Sequence, residues 1–362
     1  MNILMVGPKS DSKGGIATVI ANFKEYYNGE NQVSYLATWT EKHKFSTGIK
    51  AVLTLRKNIR KNKIDVVHFH VAQKSSFYRK ALLAKLVPRR TKVIFHMHAS
   101  QFDTFYKLAG KKAKKKIQRE LSRLDGLVVL SEEWAAFYEQ ITDAPIEIIE
   151  NAVMVEEQPK YNPRATEIIT LGRLGKRKGS YDILHVAKQL ESEFPNVCFT
   201  LFGDGEIEEV EREMEALASQ NVRLGGWLLK EDRDEIVAGT VLHLLPSYQE
   251  GLPMSILETM SEGIPNLASD VGGIPQVIQD GENGMLIKPG DISSMVEKLR
   301  YFLTDEKLRE KLSQAAYEKI KTDFSLEKYF EKWDRYYESL LEEESQESLS
   351  ISNLDERQKE WS

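Results

Sequence analysis

The chain is poor in cysteine and has no long apolar run. Its single cysteine, Cys198, excludes an internal disulfide framework and a cysteine-rich zinc site. Cys198 lies in the apolar run Val197-Cys-Phe-Thr-Leu-Phe202, where a buried filler role is expected. No apolar stretch approaches the ~20 residues of a membrane-spanning helix. The longest, around Ile236 to Leu245, is interrupted by Gly239, Thr240 and His243. Ile3 to Val6 is too short for the core of a signal peptide, so a cytoplasmic protein is expected. Excess positive charge is also missing. A net charge of −5 argues against nucleic acid as the main partner. Neither an H-E-x-x-H zinc helix nor a Walker loop occurs.

What is present is a globular composition, 41% hydrophobic and 29% charged, in a chain of 362 residues. That length predicts two domains. Short β-branched runs (Ile3–Val6, Val66–His70, Val93–His98, Leu127–Leu130, Ile146–Ile149) alternate with amphipathic segments. Such alternation predicts an α/β fold with parallel sheets covered by helices on both faces. Residues 156–164 hold Glu156, Glu157, Pro159 and Pro163 and read as a linker. Alternation then restarts with Ile168–Leu171, Val197–Phe202, Val222–Leu224 and Val241–Leu245. The expected organisation is a domain over 1–155, the linker, a second domain over 165–324, a helix over 325–344 and a mobile polar tail over 345–362. Tyr329, Phe330, Trp333, Tyr336 and Tyr337 give the last helix an apolar stripe.

Chemistry concentrates in a few places. In Glu250-Gly-Leu-Pro-Met-Ser-Ile-Leu-Glu258 two carboxylates flank a turn and a helix start. Pro253 fits such a start, and free amides there favour an anion. A carboxylate pair also serves glycoside hydrolysis, and sequence spacing alone does not separate the two uses. Gly172-Arg-Leu-Gly-Lys-Arg-Lys-Gly179 follows a predicted strand. It places Arg173, Lys176, Arg177 and Lys178 between glycines that let a backbone approach phosphate. Gly14 and Gly15 open a helix after the first strand, and Gly203-Asp-Gly205 makes another strand-to-helix turn. Alternation places His96 and His98 on one strand face. His98, at the strand end, is the one expected to reach a cleft, and His96 is expected in the core. Asp232-Arg-Asp234 reads as first-turn helix charge.

Glu250 to Glu258, Gly172-Arg173 with Lys178-Gly179, Gly14-Gly15 and Asp270-Val-Gly-Gly-Ile-Pro275 together resemble the retaining, nucleotide-sugar-dependent glycosyltransferases of family 4 (glycosyl transferases group 1). The resemblance runs in order from Met1 to about Tyr337. It implies the GT-B fold: two doubly wound Rossmann-like domains facing across a cleft, with the last helix crossing back to the first domain. It implies that Arg173 and Lys178 hold the donor diphosphate and that Glu250 contacts the donor sugar. Glu258 would bond the ribose, and Gly14, Gly15, Gly203, Gly251 and Leu252 would line the donor. His98 would stand at the catalytic centre. It implies no metal or other cofactor, a nucleotide sugar as co-substrate with UDP the expected nucleotide, and front-face attack by the acceptor.

Six lysines fall between Lys107 and Lys116 in an otherwise acidic chain. Lys111, Lys112, Lys114, Lys115 and Lys116 suggest a peripheral seat on the anionic inner face of the plasma membrane. The acceptor would then be a lipid-linked or oligosaccharide chain of capsule or exopolysaccharide assembly. Two other classes stay open at this level: a sugar-nucleotide epimerase or hydrolase of similar architecture, and a non-catalytic nucleotide-sugar-binding protein. The former would consume donor without acceptor; the latter would bind it without turnover.

Overall fold

The computed structural model describes the backbone of residues 1–40, 44–228 and 232–359; side chains are described through residue 342, apart from 44 and 45. The first half of the chain runs β1 (Asn2–Pro8), α1 (Gly15–Tyr26), β2 (Gln32–Trp39), α2 (Lys44–Lys61), β3 (Val66–Val71), α3 (Ser75–Ala84), β4 (Lys92–Met97), α4 (Phe102–Leu108), α5 (Lys111–Leu121), β5 (Gly126–Val129), α6 (Glu132–Glu139) and β6 (Ile146–Ile148). Its sheet has the order β2-β1-β3-β4-β5-β6, with every pair parallel. The second half runs β7 (Glu167–Leu171), a 3-10 turn (Lys176–Lys178), α7 (Ser180–Leu190), β8 (Cys198–Phe202), α8 (Ile207–Leu217), β9 (Val222–Gly226), α9 (Arg233–Gly239), β10 (Thr240–Leu245), α10 (Met254–Ser261), β11 (Asn266–Ser269), α11 (Ile274–Val277), β12 (Met285–Ile287), α12 (Ile292–Thr304), α13 (Glu306–Asp323) and α14 (Leu326–Lys359). Its parallel sheet has the order β12-β11-β10-β7-β8-β9.

The central strands are buried on both faces, which is why they read as continuous apolar runs. Side-chain caps fix several helix starts: Ser131 accepts from the Trp134 amide, Asp291 from Ser294 and Asp305 from Leu308. In each sheet the chain leaves two neighbouring strands in opposite directions, β1 and β3 in the first and β7 and β10 in the second. Ligands of open parallel sheets bind in the crevice at the carboxyl ends of such strands.

One apolar core spans both halves. Phe23, Ile3 and Met5 share it with Leu252, Ile256 and Leu257, and α14 closes it with Leu326, Tyr329, Phe330, Trp333, Tyr337 and Leu340. The crossing begins at Val153, whose amide donates to Phe324 O while its carbonyl accepts from the Leu326 amide.

The structure departs from the sequence expectations in several places. β2 and α4 were not foreseen. β2 is an edge strand with little apolar alternation, and α4 is two turns long. The basic run divides between two helices, with Lys107 on α4 and Lys111 to Lys116 on α5. Cys198 is only partly buried, because it opens β8 rather than sitting within it. Pro253 is the residue before the first turn of α10, not its first helical residue. Helix α14 continues through Lys359, past the boundary expected at 344.

Candidate active site

The second switch point brings two loops together. The loop after β7 carries Arg173, Arg177 and Lys178; the loop after β10 carries Glu250. Lys178 Nζ lies 2.7 Å from Glu250 Oε1, and Arg177 Nη1 lies 3.4 Å from the same oxygen. Both Lys178 and Glu250 are buried, at 8% and 7% exposure. Burial alone would push the Glu250 carboxyl up. The Lys178 ammonium and Arg177 guanidinium outweigh it and hold the carboxyl below its ordinary range. Glycines make the packing possible. A side chain at Gly172 would press on the Lys178 methylenes, and one at Gly203 would strike the Gly172 carbonyl oxygen. Gly203 also has φ 148°, which favours glycine.

Arg173 stands apart from this cluster. Its side chain is exposed, with Nη1 3.8 Å from Asp204. Glu258, on α10, is half-buried; burial pushes its carboxyl up, with Arg233 opposing.

The first domain closes over the Glu250 loop. A side chain at Gly251 would meet Leu130 at 3.5 Å and the His98 carbonyl at 3.9 Å. Asn151 Nδ2 donates to Leu252 O at 2.9 Å. Gln101 Nε2 donates to Gln249 Oε1 at 2.7 Å, and Gln249 Nε2 donates to Thr104 Oγ1 at 3.2 Å. Gly15 faces Met254 at the start of α10, with 3.5 Å from an added Cβ to Met254 Cγ. Gly14 borders open space. Gly251, Leu252, Met254 beside Gly15, and the His98 backbone therefore meet where the two domains face each other, with the Glu250–Lys178 pair on the adjoining loops. Lys13 of the first domain lies over the Trp227 ring of the second, 4.6 Å from the centroid.

Sequence reasoning missed the bridging Gln101, Gln249 and Asn151, which carry no motif. It also missed how the histidines combine. β3 and β4 pair in register, His70 opposite His96. His68 Nε2 lies 3.2 Å from His96 Nδ1, and His70 Nδ1 lies 3.0 Å from His98 Nε2. His68 Nδ1 reaches Tyr337 Oη at 2.7 Å, and Trp333 stacks on the His68 ring at 4.4 Å. Burial keeps all of these rings neutral. His98 is drawn down to about 3 by burial and by the nearby Lys80 ammonium, and the other three fall well below their ordinary value. The alternation of histidines along two adjacent strands, His68 and His70 against His96 and His98, was the available signal.

His68, His70 and His96 also hold ring nitrogens within 4.8 Å of one another, the one such grouping among the described residues with metal-ligand chemistry. His68 is bonded through both nitrogens, to Tyr337 and to His96, and His70 Nδ1 to His98, while His70 Nε2 and His96 Nε2 are buried with no partner among the described residues; no carboxylate stands among them.

The five lysines of the basic cluster lie on α5. Lys111, Lys112, Lys115 and Lys116 are exposed, while Lys114 packs over the Tyr106 ring and Lys116 over Tyr78. No helix among the described residues is long and apolar enough to cross a membrane.

Comparison with known proteins finds the same two halves. The Glycosyltransferase Family 4 family matches residues 14–157, and the Glycosyl transferases group 1 family matches residues 155–319. An uncharacterized 41.2 kDa protein in the cps region of Klebsiella pneumoniae is 26% identical over 329 residues, covering 82% of this chain and 88% of that one. The UDP-Gal:alpha-D-GlcNAc-diphosphoundecaprenol alpha-1,3-galactosyltransferase of Escherichia coli is 26% identical over 306 residues, 78% of each chain. Sucrose-phosphate synthase from Thermosynechococcus elongatus superposes with a TM-score of 0.78 at 16% identity, over 94% of this chain and 99% of that one. At that identity the likeness is one of fold.

Proposed function

We infer the reaction from one premise: the chain belongs to the glycosyltransferases that join a Family 4 domain to a group 1 domain, and it has their GT-B fold. Our reading is a retaining transfer of a sugar from a nucleotide sugar, with UDP as the nucleotide, to a lipid-linked saccharide of cell-surface polysaccharide assembly. The observation that carries it is the buried Lys178–Glu250 pair, 2.7 Å apart, on a loop whose next residue, Gly251, meets the first domain at Leu130 and the His98 carbonyl.

In this reading, departure of the nucleoside diphosphate places negative charge on phosphate oxygens. Fixed cations aimed there lower the barrier. Lys178 is held in place by Glu250; Arg173, exposed and only 3.8 Å from Asp204, is long enough to close on the diphosphate as the donor binds. These cations supply the charge that a divalent ion would otherwise supply, so the reading assigns no metal and no other cofactor. Glu250 accepts bonds from the donor sugar's hydroxyls on its free side. Its carboxylate is already engaged by Lys178 and Arg177, which favours front-face attack over a covalent glycosyl–enzyme. Glu258, Gly14, Gly15, Gly203, Gly251 and Leu252 are assigned to the nucleotide and diphosphate, and neutral His98 to the sugar's outer hydroxyl. The domain ranges expected from the sequence serve as the working boundaries of donor and acceptor halves.

Support for UDP and for a lipid-linked acceptor comes from the Escherichia coli relative, whose name carries both. Support for a seat on the inner membrane surface comes from α2 to α5, which cover one face of the first sheet. They expose Ile49 and Leu53 on α2, Leu82 on α3 and Leu108 on α4, and α5 of the same layer exposes Lys111, Lys112 and Lys115. Apolar side chains together with lysines suit a lipid headgroup layer.

The test is a thermal-shift panel of UDP-, GDP- and ADP-sugars, followed by transfer of the best binder to polyprenyl-diphosphate sugars. A UDP-sugar is expected to raise Tm most, since a ligand of the native state stabilises it. Consumption of donor at full rate without acceptor would replace transfer with hydrolysis.

A further inference from the structure

We infer that the N-terminal end of α3 is an anion site, and that its occupant is a phosphate group of the acceptor. The inference rests on the lipid-linked acceptor proposed above and gives that acceptor's phosphate a seat.

Helix α3 begins after Lys74 with no side-chain cap and no acidic residue in its first turn. The positive end of a helix dipole ordinarily gathers acids. Here it gathers cations. Lys80 folds back along the helix, so that its Nζ donates to Ser76 Oγ at 2.9 Å, and Ser76 Oγ in turn accepts from the Ala72 amide just past β3. Lys80 is 2% exposed, and among the described residues no carboxylate pairs with it. Arg79 stands beside it, with a buried Nε that has no partner among the described residues. Lys74 occupies the cap position itself.

A buried ammonium without a counter-ion is costly, and a second cation beside it raises the cost. Burial and Arg79 draw Lys80 down to about 7, a strain that an arriving anion would relieve. Perturbed groups of this kind cluster at functional sites.

The position agrees. β1 and β3 form the switch point of the first sheet, and α3 starts at the carboxyl end of β3. Lys80 is tied through Ser76 to the Ala72 amide, directly after the β3 strand that carries His70, and His70 Nδ1 lies 3.0 Å from His98 Nε2, so the cluster belongs to the first domain's end of the site. The donor cations Arg173 and Lys178 belong to the other sheet, so the two anion sites are separate.

The experiment uses the full chain and calorimetric titration with inorganic pyrophosphate, then with a short-chain polyprenyl-diphosphate sugar. Wild-type protein is expected to show two pyrophosphate sites. The R173A/K178A variant should retain the α3 site, while K80M retains the donor site and binds the polyprenyl diphosphate about tenfold or more weakly. K80R should keep most of the affinity. Met fills the space of Lys without its charge, so K80M is expected to melt at or above the wild-type temperature. R79Q, at a half-exposed position, carries the same test if K80M fails to fold. Unchanged binding of both anions by K80M and R79Q would overturn the site. Loss of pyrophosphate binding alone, with the polyprenyl diphosphate still held, would overturn its assignment to the acceptor. The nucleotide-sugar thermal shift does not involve Lys80, so failure of the donor reading shows independently.

Discussion

Lys178 Nζ and Glu250 Oε1 are 2.7 Å apart in a setting where neither side chain exposes more than a tenth of its surface. Such a pair is held together as much by what surrounds it as by its own attraction, because each ion would be costly alone. Glu250→Ala leaves Lys178 and Arg177 without their anion. We expect a loss of about 3–5 kcal/mol in stability by urea unfolding. Transfer should fall about 10²–10³-fold, the range for removing one preorganised charge stabiliser. The K178A/E250A double variant should be less destabilised than the sum of the singles, because neither ion is then stranded. Full activity in both single variants would remove the pair from the reaction.

The histidine quartet makes an acid limb of stability. His98 is drawn down to about 3 from an ordinary 6.5 by burial first and Lys80 second, and His68, His70 and His96 move the same way. With the folded values depressed, the unfolded chain binds more protons at acid pH. The contribution is present in full above about pH 6.5 and is lost as pH falls toward the folded values. Each ring adds up to about 1.4 kcal/mol per pH unit to the slope. His98→Asn should lower that slope by one proton in pH-dependent denaturant titrations. An unchanged slope would mean that the ring is already charged in the native state.

Charge reversal on α5 should separate membrane binding from chemistry. Lys111, Lys112, Lys114, Lys115 and Lys116 lie on a helix whose apolar side seats Ile117 and Leu121 in the core. Changing all five lysines to Glu should cost little thermal stability, since four are exposed, where charges contribute little, and Lys114 gives up only its contact with the Tyr106 ring. Flotation with anionic liposomes should be lost, and should weaken with salt in the wild-type protein. Retained flotation in the variant would move the contact elsewhere, for example to Leu53 and Leu108, which are 76% and 83% exposed.

The sheet alternation was legible because strands buried on both faces leave continuous runs such as Val66–Val71. Edge strand β2 was not, because all but one of its residues keep some contact with water and its pattern dissolves. In the site, Glu250 and Lys178 were legible through charge set among glycines. Their direct contact was not, since it depends on β7 and β10 being neighbours across the chain. Lys80 was hidden for a similar reason: a lysine in a helix reads as solvated until packing puts it against the strand ends. Gln101, Gln249 and Asn151 had no local signal, because their role exists only once the two domains face each other.

The crossing helix ties these levels together at Trp333. Its ring is fully buried, stacks on His68 at 4.4 Å and sits against Phe23 of α1 at 6.1 Å. Trp333 thus belongs to the end of the chain, yet packs under the histidines that lead to His98. Trp333→Ala should cost about 3–5 kcal/mol, as for other large aromatic truncations in a packed core. The loss should register beyond stability. With the stacking partner gone, His68 and its Tyr337 contact loosen, and the His68–His96 bond at 3.2 Å loses its fixed geometry. Transfer should then fall more than donor binding, a drop in kcat at nearly constant donor KM. Trp333→Phe, which keeps an aromatic face over His68, should restore most of kcat while recovering only part of the stability. If Phe rescued stability and activity in equal measure, the helix would be acting as a packing element alone, without orienting the histidines.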